Sequence, residues 1–141
     1  MQVINALGIY HLLYIILIYA SFAFIISMIR EIVKDIEDIK GDAQLGCRTL
    51  PVVYGINAGK DLSCLLSWIL ITLIIFVQIL IFSYHWYFII LYLLLLVQLP
   101  LITVIKRLGR AATPEDFHHI SSFVKLIMLT GIISMIFFNF Y

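Results

Sequence analysis

The sequence predicts an all-α, polytopic membrane protein with four transmembrane helices. Of its 141 residues, 64% are hydrophobic and only 12% are charged, which is far from the composition of a soluble globular domain. Residues 1–29, 62–105 and 126–141 contain no Asp, Glu, Lys or Arg. Because about 20 apolar residues cross a bilayer, the middle stretch is long enough to cross twice. We therefore predict spans near residues 7–29, 62–82, 86–105 and 118–139.

The first and middle apolar stretches each raise one question. Residues 1–29 are predicted to be a retained span. A signal peptide has a positive residue before its apolar run and a small-residue cleavage site after it, and this segment has neither. Within residues 62–105 the turn is expected at Ser83-Tyr84-His85, the most polar point. Aromatic residues of the kind that sit at membrane interfaces flank this point on both sides.

The positive charges predict the orientation of the chain. All nine Lys and Arg residues fall within residues 30–60 and 106–125, which four spans place on the same side. The positive-inside rule assigns that side to the cytoplasm. We expect an integral protein of the cell inner membrane, with both ends of the chain on the outer side. The net charge of +1 gives no indication of a nucleic-acid partner, and none is expected.

Two charged connections separate the predicted spans. The first, residues 30–61, is expected to continue the preceding helix to Lys40 and to break at Gly41. It would then run irregularly until Asp61 caps the next span. The second connection ends in Thr113-Pro114-Glu115-Asp116, which predicts a helix start: an N-cap threonine, proline at the first position and acids in the first turn. Pro100 is expected to kink the third span.

Three aspartates in the first connection are candidates for chemistry. Asp35, Asp38 and Asp42 are spaced i, i+3, i+7 and share one face of a helix, and Glu31 extends the stripe by one turn. Carboxylates on one face repel each other, more strongly beside a bilayer than in water. A divalent cation relieves that repulsion, and Mg²⁺ suits hard oxygen ligands combined with substrate phosphates.

The spacing alone leaves a second interpretation open. A charge run just outside a span is commonly a solvated helix end, and Lys34 with Asp38 is an ordinary i, i+4 pair. Gln78 and Gln98, within predicted spans, are expected to hydrogen-bond to neighbouring helices. His118 and His119 cannot chelate one ion together, because adjacent helical residues point about 100° apart, so they are interpreted as a polar helix start.

A longer pattern favours the functional interpretation. The run from Lys34 to Asp42, followed by Gly46-Cys47-Arg48-Thr49-Leu50-Pro51-Val52-Val53-Tyr54-Gly55, resembles the second aspartate-rich motif of UbiA-type prenyltransferases. Residues 122–131 are similar, less specifically, to the last-helix pattern of that family. The resemblance implies that the chain corresponds to the last four helices of a nine-helix bundle. Nothing in it resembles the family's first motif, of the N-D-x-x-D-x-x-x-D type.

The resemblance also implies roles for particular residues. Asp35, Asp38 and Asp42 would be the catalytic Mg²⁺ carboxylates of one half-site, and Lys34 and Arg48 would contact the diphosphate of a prenyl diphosphate donor. Tyr54 is a further candidate substrate contact. The acceptor would be a lipid or an aromatic ring. The opening and the end of the motif look closest to members that prenylate a glycerol-phosphate lipid.

Two hypotheses about function follow. In the first, the chain is the carboxy-terminal half of a Mg²⁺-dependent membrane prenyltransferase, inactive alone. It would be either a truncated copy of the complete enzyme or one half of a split enzyme, with a separate amino-terminal half supplying the first motif. In the second, it is a non-catalytic four-helix membrane protein that binds Mg²⁺ or an isoprenoid phosphate. A carboxylate set on one side only argues against catalysis by the isolated chain.

Overall fold

The computed structural model describes residues 2–82 and 87–134, and the side chains from residue 13 onward within those ranges. All regular elements in this part of the chain are helical, which confirms the all-α class. In chain order they are α1 (Gln2–Glu37), α2 (Ile39–Gln44), α3 (Leu50–Tyr54), α4 (Ile56–Phe82), α5 (Tyr87–Leu93), a π-helical turn (Leu94–Gln98), α6 (Leu99–Arg110) and α7 (Pro114–Ile133).

Three of the predicted spans correspond to helices that are long and apolar enough to cross a membrane. They are Leu13–Glu37, Ile56–Phe82 and Tyr87–Arg110, the last combining α5, the π turn and α6. The fourth, near residues 118–139, overlaps α7, but its far end lies outside the described residues. The predicted turn at residues 83–85 also lies outside them. The four-span arrangement and the nine-helix context therefore stay predictions.

The core forms where one face of α1 packs against α4 and α7, which in turn pack against α6. The buried positions on α1 lie on one face of the helix, and they are Phe22, Ile26, Ile29, Ile32, Val33 and Ile36. They belong to one cluster with Leu70 of α4, Leu101 of α6, and Ile120 and Val124 of α7. The opposite face of α1 is left exposed, and that face carries the aspartates.

Two contacts join the ends of these helices that carry the charged residues. Glu37 at the end of α1 lies 2.8 Å from Nδ1 of His118 in α7. Lys60 near the start of α4 donates to the carbonyl of Ala111, the residue after α6. The two charged connections therefore meet at one end of the bundle, called the charged end below.

The connection between α1 and α4 differs from its prediction: α1 ends at Glu37 rather than Lys40, and the stretch predicted to be irregular contains α3. Gly41 does not break the helix; it lies within α2, and the chain turns at Gly46, whose φ of 72° needs a glycine. The N–H of Cys47 bonds the carbonyl of Asp42 and that of Gly46 bonds Ala43, which is a Schellman ending. Asp61 does not cap α4, because that helix already begins at Ile56, directly after Gly55 at a φ of 91°.

The start of α7 is as predicted. The backbone N–H of Asp116 donates to Oγ1 of Thr113 at 3.3 Å, and Oδ2 of Asp116 accepts from the N–H of Thr113 at 3.0 Å. This is a capping box with Pro114 at the first helical position. Backbone hydrogen bonds from Ala112 and Thr113 lower the pKa of Asp116. Local sequence alone determines this feature.

A π turn, Leu94–Gln98, ends two residues before Pro100, while the predicted kink itself stays a prediction. Proline has no N–H to donate to the carbonyl of Leu96, four residues earlier. The hydroxyl of Thr130 in α7 donates to that carbonyl at 3.1 Å, and it also lies 3.0 Å from the carbonyl of Ile127. A hydroxyl has one proton, so the two carbonyls share it.

The predicted role of the two span glutamines is confirmed. Nε2 of Gln98, in the π turn, donates to Oε1 of Gln78 in α4 at 3.1 Å. Nε2 of Gln78 lies 3.3 Å from the carbonyl of Ile90 in α5. These amide pairs join α4 to the interrupted third helix, where an unsatisfied polar group in hydrocarbon costs several kcal/mol.

We expect Thr130→Val to lower the free energy of unfolding in detergent micelles by about 0.6 kcal/mol, the typical value of one interhelical hydrogen bond in a membrane protein. The same change made in a Pro100→Ala background should cost less, because the introduced alanine supplies an N–H to the carbonyl of Leu96. An equal cost in both backgrounds would contradict the assignment of Thr130 as the substitute donor.

Candidate functional site

The aspartate stripe lies on the exposed face of α1 and continues into α2. Asp35 is half-buried on α1, Asp38 is exposed at the junction, and Asp42 is half-buried in α2. The N–H of Asp38 bonds the carbonyl of Lys34 at 2.9 Å, and that of Asp42 bonds the carbonyl of Asp38 at 3.0 Å. The i, i+4 hydrogen bonds therefore continue across the junction between α1 and α2. As a result, the three aspartates stay on one helical face.

The stripe is an electrostatically unfavourable arrangement. Asp35 lies beyond the predicted span, since the charge-free part of α1 ends at Ile29. Partial burial raises the pKa of the Asp35 carboxyl, and the carboxylates of Asp42, Glu31 and Asp38 raise it further, whereas Lys34 opposes the shift. All three neighbouring carboxylates thus act on Asp35, and positive charge brought to this face would stabilise its ionised form.

The described side chains do not by themselves form a metal cage. In the described part of the chain, no three His, Cys, Asp or Glu side chains converge closely enough to hold an ion. The donors present are nevertheless the hard oxygens that Mg²⁺ prefers, and that ion is commonly held by one or two carboxylates, waters and phosphate oxygens. The chemistry of the stripe fits Mg²⁺, with its other ligands supplied from outside these helices.

Two cationic side chains near the stripe, Lys34 and Arg48, differ in whether they form an ion pair. Nζ of Lys34 lies 3.6 Å from Oδ2 of Asp38 as the predicted i, i+4 pair, and both side chains are about half exposed. Such a pair contributes little to stability. Arg48 is exposed in the segment between α2 and α3 and makes no ion pair with any described residue. Both cations are accessible to an anionic ligand.

One hydrogen bond orients the end of the stripe. Oγ1 of Thr49, the residue that precedes α3, donates to Oδ2 of Asp42 at 3.2 Å. The turn at Gly46 returns the chain so that this contact forms across seven residues. It holds one carboxylate oxygen of Asp42 and leaves the other oxygen unused by any protein donor in the described part of the chain.

Tyr54 lines a groove at the charged end. The groove has a volume of about 600 Å³ and is lined by Ile39, Tyr54, Gly55, Ile56, Asn57, Lys60, Ala111, Ala112 and Phe117. Tyr54 is 75% exposed. The structure therefore associates Tyr54 with this groove.

Two polar contacts at the charged end are not predicted by the sequence. The predicted helix start at Asp61 leaves Lys60 in an irregular loop, but Lys60 lies one turn into α4, and its Nζ is 5.5 Å from the ring centroid of Phe117. His118 is predicted only as part of a polar helix start, whereas it contacts Glu37. Both contacts join residues more than 50 positions apart, so no local pattern could reveal them.

Comparison with known proteins identifies the class to which this fold and motif belong. The model of the UbiA prenyltransferase family matches residues 5–135, and the chain therefore belongs to that family. The digeranylgeranylglyceryl phosphate synthase of Methanosphaera stadtmanae is 34% identical over 119 residues, which are 83% of this chain and 42% of that protein. The chain thus matches less than half the length of this relative.

Two other relatives match more closely over a shorter stretch. The digeranylgeranylglyceryl phosphate synthases of Methanopyrus kandleri and Pyrococcus furiosus are 58% and 61% identical over 33 residues, 23% of this chain and 12% of each relative. No solved structure matches the chain significantly. The family, its transferase class and its membrane helices rest on these matches together with the fold.

Proposed function

We propose that this chain takes part in transferring an isoprenyl group from a prenyl diphosphate to a glyceryl-phosphate lipid, as one part of a Mg²⁺-dependent membrane enzyme. The observation that carries the proposal is the stripe of Asp35, Asp38 and Asp42 on the exposed face of α1 and α2, directly beyond an apolar helix. When bound there, Mg²⁺ would neutralise charge that develops on a departing diphosphate.

Each residue of the motif has a role in this proposal. Asp35 and Asp38 present carboxylate oxygens to the ion, and Asp42, held by Thr49, presents its free oxygen. Arg48 and Lys34 bring positive charge to the diphosphate, and Arg48 has no ion-pair partner among the described residues to give up. Fixed charges aimed at a leaving group lower the barrier without reorganising during the reaction, which is commonly the largest catalytic contribution.

The exposed face of α1 offers a place for an isoprenoid chain. Going from the aspartates towards the apolar end of the helix, the same stripe continues through Glu31, Met28, Phe24 and Leu17 at spacings of three, four and seven residues. The three apolar side chains are all exposed. A chain whose diphosphate lies at Asp35 could extend along them, with its hydrocarbon kept from water.

The acceptor is inferred from the relatives. The names of the three relatives described above all specify a glyceryl phosphate product, and the motif itself favours such a lipid over an aromatic ring. We propose that the charged end faces the cytoplasm and that the protein lies in the cell inner membrane. The confinement of all Lys and Arg to residues 30–60 and 106–125 supports this orientation.

The second set of metal ligands is proposed to come from a segment outside these 141 residues. The aspartate stripe faces away from the packed core, so a complementary segment could approach it directly. The match to less than half of the first relative is consistent with such a segment. A non-catalytic protein that binds Mg²⁺ or an isoprenoid phosphate is the competing hypothesis, and the same stripe would serve it.

A transfer assay separates the two hypotheses. Membranes containing the 141-residue chain are supplied with geranylgeranyl diphosphate, a geranylgeranylglyceryl phosphate acceptor and Mg²⁺. We expect no product from the chain alone and product when the amino-terminal part of the Methanosphaera stadtmanae synthase is co-expressed. An Asp35→Asn chain in the same pair is the control and should form product about 10²–10³-fold more slowly.

Each alternative result has a definite meaning. Product from the chain alone would contradict the proposal that a further segment completes the site. If the folded pair gives no product, while the intact relative does so in the same membranes, catalysis by this chain would be refuted and the non-catalytic hypothesis favoured. An undiminished rate in the Asp35→Asn pair would remove Asp35 from the site.

A further inference from the structure

Lys60 is a half-buried cation without a carboxylate partner in the described part of the chain. Its Nζ donates to the carbonyl of Ala111 at 2.5 Å and lies 5.5 Å from the centroid of the Phe117 ring. The ion pairs formed among the described residues do not include it. A carbonyl and an aromatic face attract a cation but leave its charge uncompensated, and two of its three N–H donors stay available.

The groove beside Lys60 combines this charge with apolar walls. Ile39, Ile56, Ala111, Ala112 and Phe117 supply the apolar surface, and Asn57 and Lys60 supply polar groups. Among the described residues that line the groove, none is Asp, Glu or Arg. A site of this composition suits a ligand that is an anion at one end and a hydrocarbon at the other.

The groove also lies at a suitable level in the bundle. Lys60 precedes by two residues the charge-free stretch 62–82, so it marks the boundary where an apolar span begins. Ile39 belongs to the same short helix as Asp42, which makes the groove a neighbour of the aspartate stripe. A lipid headgroup at this boundary would be close to that stripe.

We propose that this groove binds the phosphate of the acceptor lipid through Lys60, with the first part of the lipid chain against the apolar walls. The inference rests on the proposed function and extends it by giving the two phosphate-bearing substrates separate sites. A carboxylate stripe repels a bare phosphate and needs a metal to hold a diphosphate. Lys60 attracts a phosphate without a metal, so binding of the acceptor phosphate in this groove would not depend on Mg²⁺.

The test measures binding in neutral detergent micelles, with neither Mg²⁺ nor prenyl diphosphate present. The probe is a monoalkyl glyceryl phosphate, compared with the same monoalkyl glycerol without phosphate and with inorganic phosphate alone. We expect Lys60→Gln to weaken binding of the phosphate lipid by about tenfold or more, the effect of losing one charge-assisted hydrogen bond. Lys60→Arg should stay within about threefold.

Matched variants exclude simpler explanations. Lys106→Gln removes an exposed positive charge from α6 and should leave binding unchanged. In Lys60→Gln the introduced amide can still donate to the carbonyl of Ala111, so the fold should be retained, and circular dichroism of each variant verifies this. Because no metal or donor is present, failure of the transfer reaction would not affect the result.

Four outcomes would overturn the inference. They are undiminished binding by Lys60→Gln, equal losses in Lys60→Gln and Lys106→Gln, equal binding of the phosphate-free lipid, and equal binding of inorganic phosphate alone. The second would indicate diffuse surface charge, the third an apolar groove only, and the fourth an anion site unrelated to lipid. Selective loss in Lys60→Gln, restored by arginine, would support it.

Discussion

Asp35→Asn and Asp38→Asn are each expected to lower Mg²⁺-dependent prenyl transfer by about 10²–10³-fold in the protein completed by its second set of ligands. Asn keeps the size of the side chain but removes the charge that holds the ion, and losing one preorganised electrostatic group typically costs this much. Asp35 should show the larger loss, because partial burial and then three neighbouring carboxylates raise its pKa, and a bound cation would stabilise its ionised form.

The measurement is the initial rate of product formation over a range of Mg²⁺ concentrations. Raising Mg²⁺ should recover part of the activity in each variant, because the lost ligand weakens binding of the ion. Asp61→Asn and Glu115→Gln remove exposed carboxylates elsewhere at the charged end and should leave the rate unchanged. Full activity in either stripe variant would exclude that residue from the metal site.

The sequence is sufficient where the determining contacts are local. The aspartate stripe follows from helical periodicity, and the register persists because the hydrogen bonds of Asp38 and Asp42 span only four residues. The capping box at Thr113 and Asp116 is likewise complete within one turn. Such features depend on neighbours in the chain and need no knowledge of the packing.

The sequence is insufficient where several local signals compete. Gly41 and Gly46 are both possible helix ends, and only the backbone distinguishes them, since Gly46 alone of the two adopts a positive φ. Asp61 is a good capping residue by type, yet the glycine turn at Gly55 lets α4 start five residues before it. Once the first turn of α4 has formed after Gly55, the helix extends through Asp61, because each further residue adds a hydrogen bond at little cost.

The proposed donor and acceptor sites depend on different levels of structure. The aspartates need only the helical period to share a face. The Lys60 groove needs residues from three separate segments, α2, the start of α4 and the chain around Ala111, to meet at one end. The sequence therefore anticipates the donor side and misses the acceptor side, although it does make Tyr54, which lines that groove, a candidate substrate contact.

Gly131→Ala is expected to lower the free energy of unfolding by about 1–3 kcal/mol, the usual cost of overpacking a filled core. A Cβ at position 131 of α7 would overlap Cε1 and Cζ of the Phe22 ring on α1. No rigid ring can accept that contact without moving. The better helix propensity of alanine, worth about 1 kcal/mol, offsets only part of the strain.

A double-mutant cycle with Phe22→Leu tests the cause, using unfolding free energies measured in detergent micelles. Leucine lacks the two ring atoms that clash, so Gly131→Ala should cost less in that background, with a coupling of about 0.5–3 kcal/mol. Gly59→Ala is the matched control. Its Cβ would meet Cδ1 and Cγ1 of Ile36 at 2.9 and 3.0 Å, a milder overlap than the one at Gly131.

Gly59→Ala should therefore cost less than Gly131→Ala, because the overlap is smaller and the gain in helix propensity offsets more of it. The contrast matters because both glycines lie in contacts of α1, one with α7 and one with α4, and both are buried. Additive costs in the Phe22 cycle would contradict a direct contact between Phe22 and Gly131. They would also contradict the packing that turns the opposite face of α1, with its aspartates, outward.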